Sequence, residues 1–310
     1  MAFFLGIEIG GTKLQIVVGE HHADQWKIVQ RFRSGVSREA GADGIRKEVE
    51  RALSQLLPQF AIQAIGVGFG GPVDWRTGTI CCSHQIEGWS EFPLSEWLNQ
   101  RAGVPVFVDN DANVAAFGEA MLGAGRGFDP AFYVTLGSGV GGGLVSGGKI
   151  YHGAKPGESE IGHLRLDKSG RIVEESCSGW AVDRKIRLHI ENNPGSLLAR
   201  LVGDANQGEA KFLDRALQES DPSVLRILNE TAEDLAFGLS HVSHLFHPEA
   251  IIVGGGLSLL GEPLRIAVQE HLDGFVMKAF TPRPRVMIAQ LLEDVVPVGA
   301  LALASSQSKR

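Results

Sequence analysis

The chain has 310 residues, 44% of them hydrophobic and 21% charged, with a formal net charge of −7. That length suits two ordinary domains, each with a core of its own. The acidic balance, with no basic run ahead of the terminal Lys309 and Arg310, argues against nucleic acid as a partner, and apolar stretches no longer than a strand argue against a membrane span. The N-terminal MAFFLGIEIGG has no basic leader and is broken by Glu8, so a cytosolic protein is expected. Three cysteines, the adjacent Cys81 and Cys82 and the distant Cys177, make neither a disulfide framework nor a zinc knuckle.

In chain order, Phe3 to Ile9 and Leu14 to Gly19 read as strands joined by a turn of Gly10, Gly11, Thr12 and Lys13, with a third strand at Val29 to Arg33. Ile45, Val49, Ala52, Leu53 and Leu56 share one helix face ahead of Pro58. Ala64 to Phe69 is a strand that runs into the turn Gly70, Gly71, Pro72, and Thr77 to Cys82 is a weaker strand. After a short helix from Pro93 to Arg101, Val104 to Val108 reads as a buried strand, and the carboxylates Asp109 and Asp111 flank Asn110 where it stops and a helix begins. Ligands of open α/β sheets bind at this kind of strand end, beside helix N-termini. Asp111 is therefore the candidate catalytic base, against the alternative that the Asp-Asn-Asp run only caps the helix.

The opening arrangement then recurs. Phe132 to Leu136 is a strand, Gly137, Ser138 and Gly139 a turn, and Gly141 to Val145 a second strand, so superposing Gly10 on Gly137 reveals an internal duplication. Each turn bares successive backbone N–H groups and forms a concavity suited to phosphate, with a hydroxyl from Thr12 or Ser138. Two such cradles facing across a cleft would hold one polyphosphate, the architecture of sugar kinases, actin and Hsp70. Rival glycine motifs fail on context. Gly143 to Lys149 lacks the Ser or Thr of a P-loop, while Gly66, Gly68, Gly70 and Gly137, Gly139, Gly141 echo a dinucleotide fingerprint without its strand-to-helix setting.

The second half is helix-rich, with patterns at Ala181 to Glu191, Gly195 to Val202, Ala205 to Glu219 and Pro222 to Phe246. Ala250 to Val253 is a strand followed by Gly254, Gly255 and Gly256, where backbone would approach a flat ligand such as adenine. A helix from Glu262 to Leu272, a strand from Val286 to Gln290 and an apolar helix from Val298 to Ser305 complete the chain. His241, His244 and His247 read as packing and surface residues of a helix end, because metal-binding helical pairs are usually spaced i, i+4.

LGIEIGGTK, GVGFGGPVD, VFVDNDANVAAFGEA, VTLGSGVGGGLVSGGKIYHGA, ESEIGH and IIVGGG, in this order, resemble the ROK family of repressors, open reading frames and kinases over nearly the whole chain. The resemblance implies a two-lobed α/β fold of the actin-like ATPase, ribonuclease H-like type. It sets residues 1–120 as an N-terminal lobe completed by a C-terminal helix at 291–310, and residues 121–290 as a larger second lobe. It implies ATP-dependent phosphorylation of a hexose at its 6-hydroxyl, with ATP and magnesium, and a homodimer. Asp111 would be the base, and Asn110, Glu160, His163, Glu174 and Gly71 would contact sugar. Gly10, Gly11, Thr12, Lys13, Gly137, Ser138, Gly139 and Gly254 to Gly256 would hold the nucleotide, and Glu8 would hold magnesium through water. Family members typically follow the His with a zinc-binding cysteine loop. The segment LRLDKSGRIVE from Leu164 to Glu174 has no cysteine, so no zinc is expected, and Gly70, Gln85 and Glu8 also depart from the usual residues. The other readings are an N-acetylhexosamine or fructose kinase, a polyphosphate donor in place of ATP, a repressor, or a catalytically silent sugar-binding regulator. The repressor reading needs a DNA-binding helix pair ahead of the first cradle, and nine residues precede Gly10.

Overall fold

The computed structural model describes residues 2–22, 25–37, 39–83, 86–155 and 159–308, with residue 25 described through its backbone alone. The departure at Gln85 lies outside them. Among the described residues twelve strands and ten α-helices follow one another. The strands are β1 (Ala2–Ile9), β2 (Lys13–His22), β3 (Gln25–Gly35), β4 (Ile62–Phe69), β5 (Val73–Asp74), β6 (Thr79–Ile80), β7 (Val106–Asn110), β8 (Ala131–Leu136), β9 (Val140–Ser146), β10 (Lys149–Ile150), β11 (Ala250–Gly254) and β12 (Arg285–Ile288). The helices are α1 (Gly41–Leu56), α2 (Leu94–Ala102), α3 (Asp111–Leu122), α4 (Val173–Cys177), α5 (Gly179–Asn192), α6 (Leu197–Val202), α7 (Leu213–Gln218), α8 (Pro222–Phe246), α9 (Glu262–Phe275) and α10 (Val295–Ser308).

Two five-stranded sheets carry the same order, β3-β2-β1-β4-β7 and β10-β9-β8-β11-β12. In the first, β2 is antiparallel to β1 and β3, while β4 is parallel to β1 and β7. In the second, β10 and β9 are antiparallel, while β11 is parallel to β8 and β12. The duplication read from Gly10 and Gly137 is thus a duplication of sheet topology. This is the α/β fold of the actin-like ATPase, ribonuclease H-like class.

The chain forms two compact units, Met1–Arg126 with Gly143–Ser159 and Glu293–Arg310, and Gly127–Gly142 with Glu160–Leu292. The first unit is layered, and the strand period of two sorts its side chains. Leu5, Ile7 and Ile9 pack with Ile45, Val49 and Leu53 of α1 and Leu94 and Leu98 of α2. Phe4 turns to the other face, against Leu301 and Ala304 of α10. Helix α10 is apolar all round and buried over most of its length, as a helix sandwiched between a sheet and α3 has to be. Glycines let it approach so closely: a Cβ on Gly66 would meet the Ala300 carbonyl oxygen, and one on Gly299 would meet that of Val114. Gly66 and Gly68, two of the glycines that echo a dinucleotide fingerprint, are therefore on the α10 face of β4. Substituting Gly66→Ala is expected to lower stability by about 1–3 kcal/mol through overpacking against rigid backbone, read as a lower urea midpoint with an unchanged m-value.

Several element boundaries differ from the sequence pattern. Strand β7 runs on to Asn110 instead of ending at Val108, because Asp109 and Asn110 still pair with Gly68 and Phe69 of β4. Of the weak strand at Thr77 to Cys82 only Thr79–Ile80 forms, paired with Val73–Asp74. The helix expected over Ala205 to Glu219 is broken. Asp183 of α5 accepts hydrogen bonds from Gly208 N and Ala210 N, Gly208 takes a left-handed φ of 70°, and only Leu213–Gln218 is α-helical. The three histidines of α8 pack as expected: His241 meets Phe237 edge-on, His247 lies against Phe280, and His244 Nε2 accepts from Met277 N.

Candidate functional site

In the first unit the hairpin turn between β1 and β2 closes with Gly10 N donating to Lys13 O at 3.0 Å, and Gly70 N donates to Ile9 O at 2.8 Å. The ends of β1 and β4 are thereby held side by side. Asp111 reaches this point from α3: a Cβ placed on Gly70 would lie 3.3 Å from Asp111 Oδ2, 3.4 Å from Ile9 O and 3.6 Å from Gly10 Cα. A Cβ at position 70 would thus touch Asp111 and the ends of β1 at once. Asp111 is the first residue of α3, where an acidic group complements the positive helix end. Capping falls to Asn110, whose Oδ1 accepts from Ala112 N at 2.9 Å and Asn113 N at 3.3 Å while its Nδ2 donates to Gly71 O at 3.2 Å. Gly71 is itself confined between Cys82 O and the Phe69 ring, each 3.1 Å from where its Cβ would stand. Unit one thus gathers Asp111, Asn110, Gly71 and the turn from Gly10 to Lys13 around the ends of three strands.

Glu8 belongs to a different network. Its carboxylate lies 3.1 Å from Lys13 Nζ and accepts from Gln15 Nε2 at 2.9 Å. Gln15 Oε1 in turn accepts from Arg31 and Arg33, and Arg31 makes a bidentate pair with Asp294 ahead of α10. Burial pushes the Glu8 carboxyl above its ordinary range, against the pull of Lys13 and Gln15. With one partner on each oxygen, Glu8 anchors the Lys13 end of the turn.

In the second unit the turn between β8 and β9 closes with Gly137 N donating to Gly139 O at 3.0 Å, and Gly179 N at the start of α5 donates to Gly137 O at 2.7 Å. Glu174 of α4 lies directly against this turn. Its Oε2 accepts from Val140 N at 2.8 Å, and a Cβ on Gly139 would stand 2.5 Å from the same oxygen. Glu160 and His163 are exposed on one 3-10 turn, whose Gly162 leaves no room for a side chain above Val140 O. Val140 therefore joins the second cradle, Glu174 and the Glu160–His163 turn.

Beside this cradle opens a cavity of about 710 Å³ lined by Gly137, Ser138, Trp180, Asp183, Gly256 and Leu259 among others. That volume suits a small ligand such as a nucleoside. Trp180 and Leu259 are 60% and 68% exposed and offer apolar surface to it. Of the glycine run only Gly256 lines the cavity. Gly254 packs on the Tyr133 ring, and Gly255, at φ 79°, lies on the backbone of Leu136. The sequence pattern gave no sign of Trp180, since an isolated aromatic in a helical pattern reads as core.

The segment between His163 and Glu174 is ordered by a carboxylate. Asp167 Oδ1 accepts from the backbone N of Ser169, Gly170 and Arg171 and from the Ser169 hydroxyl. Hydrogen bonding from the Ser169 hydroxyl, then from Arg171, holds the Asp167 carboxyl down at about 2. Arg171 continues to Asp234 on α8 at 2.9 Å, fixing the loop to its own unit. Cys177 is buried, its thiol pushed up to about 12 by burial and aimed at Thr231 O. Among the described residues no group of three His, Cys, Asp or Glu side chains is arranged to hold a metal ion, and no helix is long and apolar enough to cross a membrane.

The chain is 28% identical over 307 residues to the glucokinase of Thermotoga maritima, covering 96% of each protein. It is 32% identical over 319 residues to the glucokinase of Streptomyces coelicolor, covering 98% of each. Its fold matches the crystal structure of a ROK family glucokinase from Streptomyces griseus in complex with glucose and AMPPNP, with a TM-score of 0.84 and 31% identity over 98% of this chain and 100% of that one. The sequence model of the ROK family matches residues 4–307, and the chain belongs to that family.

Proposed function

We propose that this chain is an ATP-dependent sugar kinase of glucokinase type, transferring the γ-phosphoryl group of ATP to the 6-hydroxyl of a hexose. The observation that carries the reading is the convergence of Asp111 Oδ2 with Gly70 and Gly10 beside the glycine turn between β1 and β2. The glucokinase relatives and the glucose and AMPPNP complex support it.

A sugar hydroxyl is a poor nucleophile at neutral pH, and phosphoryl transfer depends on placing it in line with the γ-phosphate while a carboxylate accepts its proton. Asp111 takes that proton as the hydroxyl oxygen bonds to phosphorus and ADP departs. Asn110, Gly71, Glu160, His163 and Glu174 position the sugar through its hydroxyls. The turns from Gly10 to Lys13 and from Gly137 to Gly139, closed by Gly10 N and Gly137 N themselves, turn their remaining backbone donors to the phosphates, and the cavity walled by Trp180, Gly256 and Leu259 receives the adenine. Magnesium would come with the nucleotide's phosphates and neutralise charge there, with Glu8 reaching it through water. A homodimer belongs to the same proposal and is carried by family resemblance.

A thermal-shift panel of glucose, mannose, fructose, N-acetylglucosamine and N-acetylmannosamine, with and without AMPPNP, tests the reading. Ligand present at about 100 times its Kd stabilises the native state by roughly 2.7 kcal/mol, so one hexose should raise Tm clearly above the others. No response to any of these sugars, with AMPPNP binding or without it, would overturn the assignment of a hexose substrate.

A further inference from the structure

One imidazole in the first unit has no part in the proposed chemistry, yet its partner is a carboxylate two residues from the proposed base. His152, just after β10, places Nε2 2.6 Å from Asp109 Oδ2, and the two side chains are only 13% and 6% exposed. A carboxylate only accepts, so the proton of this contact sits on Nε2. The other oxygen of Asp109 accepts from Asn110 N at 2.9 Å and from Asn113 Nδ2 at 3.0 Å. Trp75 covers the imidazole, stacked at 4.1 Å between centroids and 13° between planes. Trp75 follows β5, and its neighbour Asp74 is ion-paired with Lys155. Residues 151–155 are thus fastened at two points within their own unit, and the chain then runs on to Glu160.

A carboxylate this deeply buried holds its geometry only while both oxygens keep their donors. Without His152, Oδ2 loses the donor it has, and the side chain turns or admits water. The grip of Oδ1 on Asn110 N and Asn113 then loosens, at the residues that cap α3 and set the direction of Asp111. We propose, on the footing of the kinase reading, that His152 is a positioning residue: through Asp109 it fixes Asn110 and Asp111, and through Trp75 and the Lys155 pair it fixes the start of the segment leading to Glu160.

The test compares His152→Ala with His152→Gln, whose amide reaches roughly where Nε2 stands. Three readouts are taken: sugar-dependent ADP release, Tm, and hydrogen–deuterium exchange over residues 107–113. Misplacement of a reacting group by about an ångström costs on the order of a hundredfold, so His152→Ala is expected to lower kcat by about ten- to a hundredfold with KM for ATP within about twofold. Exchange over residues 107–113 should quicken by about tenfold or more, the size of an opening made easier by over 1.4 kcal/mol. His152→Gln should restore both readouts to within about threefold. A purely structural role would move Tm and leave kcat and local exchange alone, and that result overturns the proposal, as does a His152→Gln enzyme no better than His152→Ala. If His152→Ala does not fold, His152→Asn, too short to reach Asp109, takes its place. If the unmutated protein shows no sugar-dependent ADP release, the kinase reading fails separately. The exchange comparison still decides the coupling: quickened in Ala and normal in Gln supports it, and unchanged in both overturns it.

Discussion

Replacing Asp111 with alanine is expected to lower kcat for sugar phosphorylation by about a hundred- to ten-thousandfold, the range a general base contributes, with the KM values for sugar and ATP changed far less. The start of α3 does not rest on this carboxylate. The helix cap is the Asn110 side chain, so α3 keeps its first turn when the carboxylate goes. The loss of an acidic group from the first turn costs only about 0.3–1 kcal/mol. Asp111→Asn should behave alike, since an amide keeps the shape and cannot take the proton. Steady-state kinetics with the responding hexose, alongside urea denaturation, check both halves of the expectation. A kcat within about threefold of the unmutated enzyme would remove Asp111 from the role of base.

Substituting Gly139→Ala should produce the second-largest loss by a different route. The new Cβ would stand 2.5 Å from Glu174 Oε2 and 3.3 Å from its Cδ, and these atoms are the mobile end of a long side chain. Glu174 therefore gives way, releasing Val140 N, and the turn proposed to hold phosphate changes shape together with the carboxylate that supports it. Loss of one preorganised donor to developing negative charge typically costs a hundred- to a thousandfold, and kcat/KM for ATP is expected to fall by about a hundredfold. The global penalty should stay within the roughly 1–3 kcal/mol of an overpacked site. Kinetics and the urea midpoint measured on one preparation separate the two effects. A variant as active as the parent would show that this turn carries no phosphate.

Much of this was legible in the sequence because repeated glycine patterns are constrained by backbone geometry. Gly10 and Gly137 mark equivalent turns since each must end one strand and start its antiparallel partner within three residues, and the duplicated strand order follows from that. The position of Asp111 at the start of a helix was legible from the apolar strand before it, while its role as base or cap is not decided by that run alone. Other features depend on contacts between residues distant in sequence. Gly66 and Gly68 resemble a ligand-binding motif until α10 and α3 are seen against them. The contacts of Glu8 with Lys13 and Gln15, and of Gln15 with Arg31, appear only once the strands are placed side by side. The break in the helical pattern before Leu213 comes from Asp183, more than twenty residues earlier, which captures two backbone N–H groups that a helix would have used. His152 and Asp109 meet across 43 residues of chain, and no local periodicity pairs them. What a single stretch determines is readable from that stretch. What tertiary packing determines is not.

The most direct measurement is ADP release by the purified protein with ATP and glucose set against ATP and 6-deoxyglucose, which keeps the ring and lacks the attacking hydroxyl. The account predicts turnover that requires the hexose, disappears with the 6-deoxy sugar, and yields a product phosphorylated at the 6-oxygen. Release at the same rate without sugar, or with 6-deoxyglucose, would contradict it.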